Sequence, residues 1–190
     1  YPKVKTEYLP SFHAFNQINL STSLKNQILF HGNLSVSENY NAAIWIINEI
    51  VSKTNNEFIF AGLNPNQKLV ELINKTKNCK LITNPNETDL QNLIKESFIN
   101  ILYTHQATGL KLKLLNVLYN ANTIICNSKM IDGTDIEAKG GVIIANTPNE
   151  FIKAIAQVNN TNSNLLLERQ KLLHSYNNQI NAEKLISLLK

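Results

Sequence analysis

Two lysines, a glycine and an asparagine stand close together in the segment ATGLKLKLLNVLYN, residues 107–120. The apolar spacing of this segment predicts a helix that begins near Thr108. The amino end of a helix offers unpaired N–H groups and the positive end of its dipole, which together favour an anion. Gly109 would let a ligand approach the backbone closely, and Lys113 and Asn116, three residues apart, would lie on one helix face.

Such a pair suits a nucleoside diphosphate, because a lysine can bind the phosphate and an amide one turn deeper can bind hydroxyl groups. Lys111 falls on a different side of the same helix, nearer to its first turn. In the alternative interpretation both lysines are solvated and Asn116 only binds backbone. Spacing alone leaves both interpretations open.

The elements that must position these residues alternate between strands and helices along the chain. Apolar runs of strand length are separated by segments with helical spacing. The C-terminal part of the chain is predicted to form one or two amphipathic helices. Continuous apolar strands that alternate with helices predict a parallel sheet covered on both faces. Right-handed crossovers then give a doubly wound, Rossmann-like α/β fold. The predicted strands are residues 27–32, 57–62, 79–83, 98–103, 123–127 and 140–146.

Capping residues indicate where several of the helices begin. Ser35 with Glu38 predicts a capping box for the first helix, and Ser37 is an alternative N-cap. For later helices the predicted caps are Asn86 or Thr88, and Thr147 followed by Pro148.

Ligands of such a sheet bind in the crevice outside the carboxyl ends of its strands. His105 follows the fourth predicted strand on that side, so it is a candidate contact for a nucleobase or sugar, or else a plain loop histidine. His31 ends the first strand and is expected to have a structural role. The predicted crevice loops are residues 32–37, 62–66, 83–87, 104–109 and 127–133.

Length and charge narrow the class of protein. A chain of 190 residues is expected to form one domain around one core. The net charge of +4 is spread without a basic block or interleaved aromatics, which argues against nucleic acid as a partner. Cys79 and Cys126 both fall within predicted strands, so we expect them to be small buried apolar residues. Because they do not indicate a disulfide framework, a reducing, cytoplasmic compartment is favoured. The chain does not begin with Met and is expected to be a piece of a longer protein.

Most sequence motifs of catalysis are absent from this chain. The glycine-rich dinucleotide and P-loop patterns, the G-x-S-x-G elbow and Cys/His metal spacing are all missing. Asp132 and Asp135 in DGTD could form a metal-binding pair, but a solvated turn is the favoured interpretation. We therefore expect no metal site.

From residue 27 onward the sequence resembles the C-terminal, donor-binding domain of GT-B glycosyltransferases, and is most like the retaining family 4 type. The segment ILFHGNLSVSEN is similar to a strand of this family and the glycine-containing loop after it, whose common sequence is GrLs. TGLKLKLLNVLYNANTIICNS resembles the family segment EGFGLxxxEAmAxGxPVIaS. The G-x-K-x-K-L-L version also resembles a branch found in bacterial surface-polysaccharide enzymes.

The resemblance implies an enzyme that transfers a hexose from a UDP- or GDP-sugar to a glycan or lipid-linked acceptor. Side chains and a helix N-terminus, and no metal ion, would neutralise the diphosphate. The two glutamates of the family fall on Thr108 and Asn116, Asn33 stands at an arginine position, and Lys113 is expected to replace lost charge. No catalytic residue is assigned. The implied donor-binding residues are Gly32, Asn33, His105, Thr108, Gly109, Leu110, Lys111, Lys113 and Asn116.

The resemblance also implies a division of the chain. Residues 1–26 would be an interdomain linker, 27–160 the nucleotide-sugar-binding domain, and 161–190 helices that pack back toward a missing N-terminal acceptor domain. The isolated piece is expected to bind nucleotide weakly and to transfer nothing, and the full-length protein to sit in the cytoplasm, with peripheral membrane association as a further option. Two alternatives stay open: a sugar-nucleotide epimerase of the same fold, and a non-catalytic nucleotide-binding or docking module.

Overall fold

A six-stranded parallel sheet forms the centre of the computed structural model, which describes residues 6–158 and 164–189. Its strands are β1 Lys25–Asn33, β2 Glu57–Leu63, β3 Cys79–Thr83, β4 Ser97–Leu102, β5 Ile124–Cys126 and β6 Val142–Ile144. The strand order is β3-β2-β1-β4-β5-β6, and every neighbouring pair is parallel. The predicted doubly wound α/β fold is therefore confirmed.

Helices cover both faces of the sheet. They are α1 Ser37–Glu49, α2 Gln67–Lys75, α3 Glu87–Glu96, α4 Leu112–Asn120, α5 Ser128–Ile131, α6 Pro148–Gln157, α7 Leu165–Leu172 and α8 Asn178–Leu188. Because neighbouring strand residues point to opposite faces, Ile28 and Phe30 pack in one core cluster with α1, α2 and α6, while Leu29 packs in the other with α3, α4 and α7. The central strand β1 is thus buried on both faces, whereas the edge strand β3 leaves Lys80 and Thr83 exposed.

Strands β1 and β2 approach each other so closely at their carboxyl ends that only a glycine fits. Gly62 lies opposite Gly32 in the parallel register. A Cβ atom on Gly62 would lie 1.8 Å from the carbonyl oxygen of Gly32 and 3.0 Å from the side chain of Leu34. The glycine at the end of β2 is therefore a packing requirement of the sheet.

Two of the predicted helix caps are confirmed. The Asn86 side chain accepts a hydrogen bond of 2.8 Å from the backbone N–H of Asp89 at the start of α3. The Thr147 side chain accepts one from the N–H of Glu150, and Pro148 is the first residue of α6. Each cap satisfies an N–H group that has no partner within its helix.

The predicted cap of α1 is wrong. Its N-cap is Val36, with no side-chain hydrogen bond. Ser35 bonds instead to the side chain of Asn33, and the carboxylate of Glu38 accepts the hydroxyl of Thr104 beyond β4. Tertiary partners therefore take the groups that a local capping box would have used.

The predicted start of α4 is also wrong, because the helix begins at Leu112 and not near Thr108. Gly109 has a φ of +76°, a left-handed conformation that no right-handed helix contains. Lys111 is extended, with φ −109° and ψ 125°. Residues 103–111 therefore form a loop between β4 and α4.

The N-terminal segment packs against α4 and also contacts the last helix, α8. The rings of His13 and Phe15 lie 5.1 and 5.8 Å from the ring of Tyr119 in α4. The side chain of Asn178 donates a hydrogen bond of 2.6 Å to the carbonyl of His13. Helix α8 leaves apolar side chains exposed, including Ile186 at 55%. The predicted boundary at 160–161 lies outside the described residues.

Candidate functional site

The centre of the sheet contains a topological switch point. Strands β1 and β4 are neighbours, yet the chain leaves β1 into α1 on one face and leaves β4 toward α4 on the other. In open α/β sheets, ligands bind in the crevice that such a divergence creates. We name this region the switch-point crevice and define it by Gly32, Asn33, Glu38, Asn39, Thr104 and Lys113.

Lys113 reaches across this crevice from α4 to α1. Its Nζ donates a hydrogen bond of 2.8 Å to Oδ1 of Asn39 and lies 5.8 Å from the centre of the Phe30 ring. Nδ2 of Asn39 donates in turn to the carbonyl of Asn33, at 3.0 Å. A Cβ atom on Gly32 would lie 3.0 Å from the Asn39 side chain, so the glycine makes room for this bridge. The crevice therefore holds one positioned ammonium group.

The surroundings of Lys113 lower the pKa of its ammonium group. Burial lowers the pKa of Lys113 to about 8, an attraction to Glu38 opposes the shift, and repulsion from Lys111 adds to it. A buried amine of this kind gains charge stabilisation when an anion arrives. An anion that enters the crevice would therefore share the charge of Lys113 with Glu38.

An asparagine clamp fixes the carboxyl end of β4. Nδ2 of Asn127 donates to the carbonyl of Thr104 at 2.7 Å, and its Oδ1 accepts the N–H of the same residue. The hydroxyl of Thr104 donates to Glu38. Glu38, Asn39 and Asn127 were not among the predicted site residues, although the first two lie in the helix turn directly after a predicted crevice loop.

His31 lies beneath the crevice on the face that α4 covers. It is 3% exposed, and its Nε2 has no hydrogen-bond partner among the described residues. Burial, and then the charge of Lys113, lower the pKa of His31 to about 3. The imidazole is therefore neutral at neutral pH.

We expect the buried His31 to make the fold sensitive to mild acid. The unfolded chain binds a proton on this residue near its ordinary pKa of 6.5, whereas the folded chain binds it only near 3. Because the unfolded state binds more protons in this window, stability falls as the pH falls. The expected loss of unfolding free energy is about 2 kcal/mol between about pH 7 and pH 5.

Urea denaturation of the wild type and of His31→Leu at several pH values measures this loss. The variant should lose the pH-dependent part above about pH 5, where most carboxylates are still ionised. His174→Leu serves as the control, because His174 is exposed and should leave the profile unchanged. Parallel profiles for the wild type and His31→Leu would contradict the assignment.

Two lysines, Lys111 and Lys129, hold the loop between β4 and α4 in place through hydrogen bonds to backbone carbonyls. Nζ of Lys111 donates to the carbonyls of Gly109 and Lys129, at 3.2 and 3.4 Å. Nζ of Lys129 donates to the carbonyl of His105. The His105 ring is exposed and stands edge-on to Tyr103, with 5.0 Å between ring centres. Lys111 therefore lies at the edge of the crevice and organises its loop.

The other predicted residues are less directly placed. Thr108 is exposed and Leu110 is partly buried, both in the loop before α4. Oδ1 of Asn33 accepts two hydrogen bonds from Ser35. Oδ1 of Asn116 accepts a hydrogen bond of 3.0 Å from Asn120, one turn further along α4.

The two carboxylates after β5, Asp132 and Asp135, are both exposed. Asp135 accepts a hydrogen bond of 2.6 Å from the hydroxyl of Ser175, 40 residues further along the chain. Within residues 6–158 and 164–189, no group of three His, Cys, Asp or Glu side chains could hold a metal ion. None of the helices in these two ranges is long and apolar enough to cross a bilayer.

Comparison with known proteins finds likeness in structure only. The sequence matches no protein family profile and no curated protein. A mutant of Staphylococcus aureus TarM, in complex with fondaparinux, alpha-GlcNAc-glycerol and UDP, has a TM-score of 0.70 at 14% identity, over 98% of this chain and 40% of that one. Another TarM structure has a TM-score of 0.70 at 15% identity, over 95% of this chain and 38% of that one.

A glycosyltransferase from Rickettsia africae gives a TM-score of 0.63 at 11% identity, over 88% of this chain and 47% of that one. The chain thus spans less than half the length of these three structures. Since the identities are low, the likeness establishes the fold. This chain has the Rossmann-like α/β fold that forms part of these longer GT-B glycosyltransferase chains.

Proposed function

We propose that this chain is the donor-binding part of a glycosyltransferase and takes the diphosphate of a UDP- or GDP-sugar in the switch-point crevice. The observation that carries the proposal is the partly buried Lys113, whose ammonium is held at the topological switch point by Asn39. One of the structures that share this fold was crystallised with UDP.

In this proposal the crevice stabilises charge on the departing diphosphate. Lys113 contacts the phosphate oxygens, and Lys111 adds positive charge at the edge. The first N–H groups of α4 have no acceptor within the helix, so Leu112 and Lys113 also offer backbone donors. Fixed donors of this type favour the state in which the sugar–phosphate bond breaks, without a metal ion.

The finer parts of the proposal come from the family resemblance. The transferred group would be a hexose, with retention of configuration, and the acceptor a glycan or lipid-linked sugar of a bacterial surface polysaccharide. A further domain would supply the acceptor site. The full-length protein would act in the cytoplasm or at the inner face of the membrane.

A non-catalytic nucleotide-binding module is the second candidate. It is favoured by Asn116, which replaces a family glutamate and whose amide oxygen is occupied by Asn120. Thr108, at the other glutamate position, is exposed and carries no charge. Binding without sugar transfer by the full-length protein would distinguish this candidate from the enzyme.

Calorimetric titration with UDP, GDP and ADP tests the donor proposal. We expect one of the uridine or guanosine nucleotides to bind, and Lys113→Ala to weaken it by about tenfold or more, because a charge-assisted hydrogen bond contributes about 1.5–3 kcal/mol. Lys153→Ala is the matched control, since Lys153 is exposed on α6, away from the crevice. The proposal fails if no nucleotide binds even to the full-length protein.

A further inference from the structure

A cavity of about 620 Å³ lies outside the switch-point crevice and shares no residue with it. Its walls are the N-terminal segment, the loop after α5, residues 174–176 and the first half of α8. We propose that this cavity is a binding site for a neutral saccharide. The residues that carry the argument are Tyr8, Asp135, His174, Ser175, Tyr176 and Asn181.

A buried amide with spare hydrogen-bonding capacity lines this cavity. Asn181 is 6% exposed, and its Nδ2 donates to the carbonyl of Ser175 at 3.1 Å. Its amide oxygen accepts no hydrogen bond from the described residues. This oxygen is left to accept from a ligand, and a sugar hydroxyl is a suitable donor.

The neighbouring carboxylate is held in a fixed position. The Ser175 hydroxyl donates to Asp135, and the Asp135 N–H donates to the hydroxyl of Tyr176, which is 2% exposed. A carboxylate has about four lone-pair sites, so Asp135 keeps capacity to accept from a ligand. Fixed acceptors of this kind suit the adjacent hydroxyl groups of a sugar ring.

An exposed aromatic ring stands at the rim. Tyr8 is 62% exposed, and Nζ of Lys184 donates to its carbonyl at 3.0 Å, which anchors this part of the N-terminal segment. Tyrosine offers a flat apolar face together with a polar end. A sugar ring, which is apolar on its C–H face and polar at its edge, matches this combination.

The charges in the cavity favour a neutral ligand. Lys184 forms an ion pair with Glu7 at 3.2 Å, so its charge is already balanced. Asp135 adds a negative charge, which would repel a phosphate. In the crevice, Lys113 and Lys111 stand beside the single carboxylate of Glu38, so positive charge prevails there and the two sites favour different ligands. The volume lies within the range of about 300–1,000 Å³ that is usual for small-molecule sites.

The cavity also adjoins the loop between β4 and α4. A Cβ atom on Gly133, which lines the cavity, would lie 3.2 Å from Cα of Gly109. The saccharide site does not depend on the donor proposal. If that proposal holds as well, a sugar bound here lies beside the loop that leads to Lys113, where an acceptor is needed.

NMR titration of the ¹⁵N-labelled chain with maltotriose, cellotriose and chitotriose tests this inference. We expect at least one trisaccharide to cause saturable shifts in residues 133–135 and 174–181, with a dissociation constant on the order of 1 mM. Tyr8→Ala and Asn181→Leu should each weaken this binding by about fivefold or more, a loss of about 1 kcal/mol.

Phe12→Ala is the matched control, because Phe12 is an exposed aromatic in the same segment that does not line the cavity. Tyr8→Ala changes only an exposed residue, so it keeps the test informative if Asn181→Leu folds poorly. The inference is overturned if no trisaccharide shifts these residues at about 20 mM, or if Tyr8→Ala binds like the wild type. UDP affinity should be equal in all three variants, so failure here is separate from failure of the donor site.

Discussion

Replacement of Arg169 by methionine is expected to lower the free energy of unfolding by about 4 kcal/mol. Arg169 lies in α7 and is fully buried. Its guanidinium group packs against the carboxyl end of α4, where the carbonyls that follow Val117 have no N–H partner within the helix. The carbonyl oxygens that it binds belong to Val117, Leu118, Ala121, Asn122 and Gly140.

This arrangement uses the whole guanidinium group. Its donors form a planar fork, and the negative end of the α4 dipole favours a cation at this position. Burial lowers the pKa of Arg169 to about 10, so the group stays charged at neutral pH. Methionine would keep most of the apolar stem but leave several buried carbonyls without a donor.

Two glycines make room for the same contact. A Cβ atom on Gly141 would lie 2.2 Å from the carbonyl oxygen of Asn122 and 2.9 Å from Nη2 of Arg169. Gly140 would similarly meet Leu172, at 2.9 Å. The Gly140–Gly141 turn and the buried arginine therefore form one packing unit that ties the C-terminal helices to the sheet.

Urea denaturation measures the expected loss from the shift in midpoint at constant slope. Lys171→Met is the matched control, since Lys171 is an exposed cation two residues further along α7 and its replacement should cost less than about 0.5 kcal/mol. Arg169→Lys should fall between the two, because lysine keeps the charge but loses the fork. Equal midpoints for the wild type and Arg169→Met would contradict the proposed role.

The fold was predictable because short continuous apolar runs, typical of buried strands, alternate along the chain with segments whose apolar residues recur at helical spacing. The ends of elements were predictable only where the determinant is local, as at Asn86 and Thr147, whose side chains cap the helices that follow them. The start of α4 was not, because periodicity does not reveal the positive φ of Gly109. Tertiary hydrogen bonds likewise took Glu38 away from its predicted cap.

The site was only partly predictable because its residues are brought together by long-range contacts. Spacing identifies Lys113 as a candidate, but its partner Asn39 lies 74 residues earlier in the chain. Similarly, Arg169 and Lys171 look alike in sequence, and only the packing of α7 on α4 makes one buried and the other exposed. Residue type and spacing identify candidates, whereas long-range contacts decide which of them share a site.

The affinity for UDP is expected to fall about tenfold between about pH 7 and pH 9 if Lys113 binds the diphosphate. The free protein loses the Lys113 proton with a pKa of about 8, well below the ordinary value of 10.5. A bound phosphate would raise that pKa, so binding at the higher pH must first take up a proton. The phosphate contributes little to the change, because its second pKa is about 6 and it is ionised across this range.

Calorimetric titration at several pH values, with Lys113→Arg and Lys113→Met beside the wild type, isolates the charge of this one residue. Arginine stays protonated throughout, so Lys113→Arg should bind UDP with a nearly flat pH profile. Lys113→Met should be flat as well but weak, and Lys153→Ala should reproduce the wild-type slope, because Lys153 lies away from the crevice. A wild-type profile without this slope would mean that the diphosphate does not meet the Lys113 ammonium. The switch-point crevice would then lose its role as the donor site, whereas the buried arginine and the saccharide cavity would be unaffected.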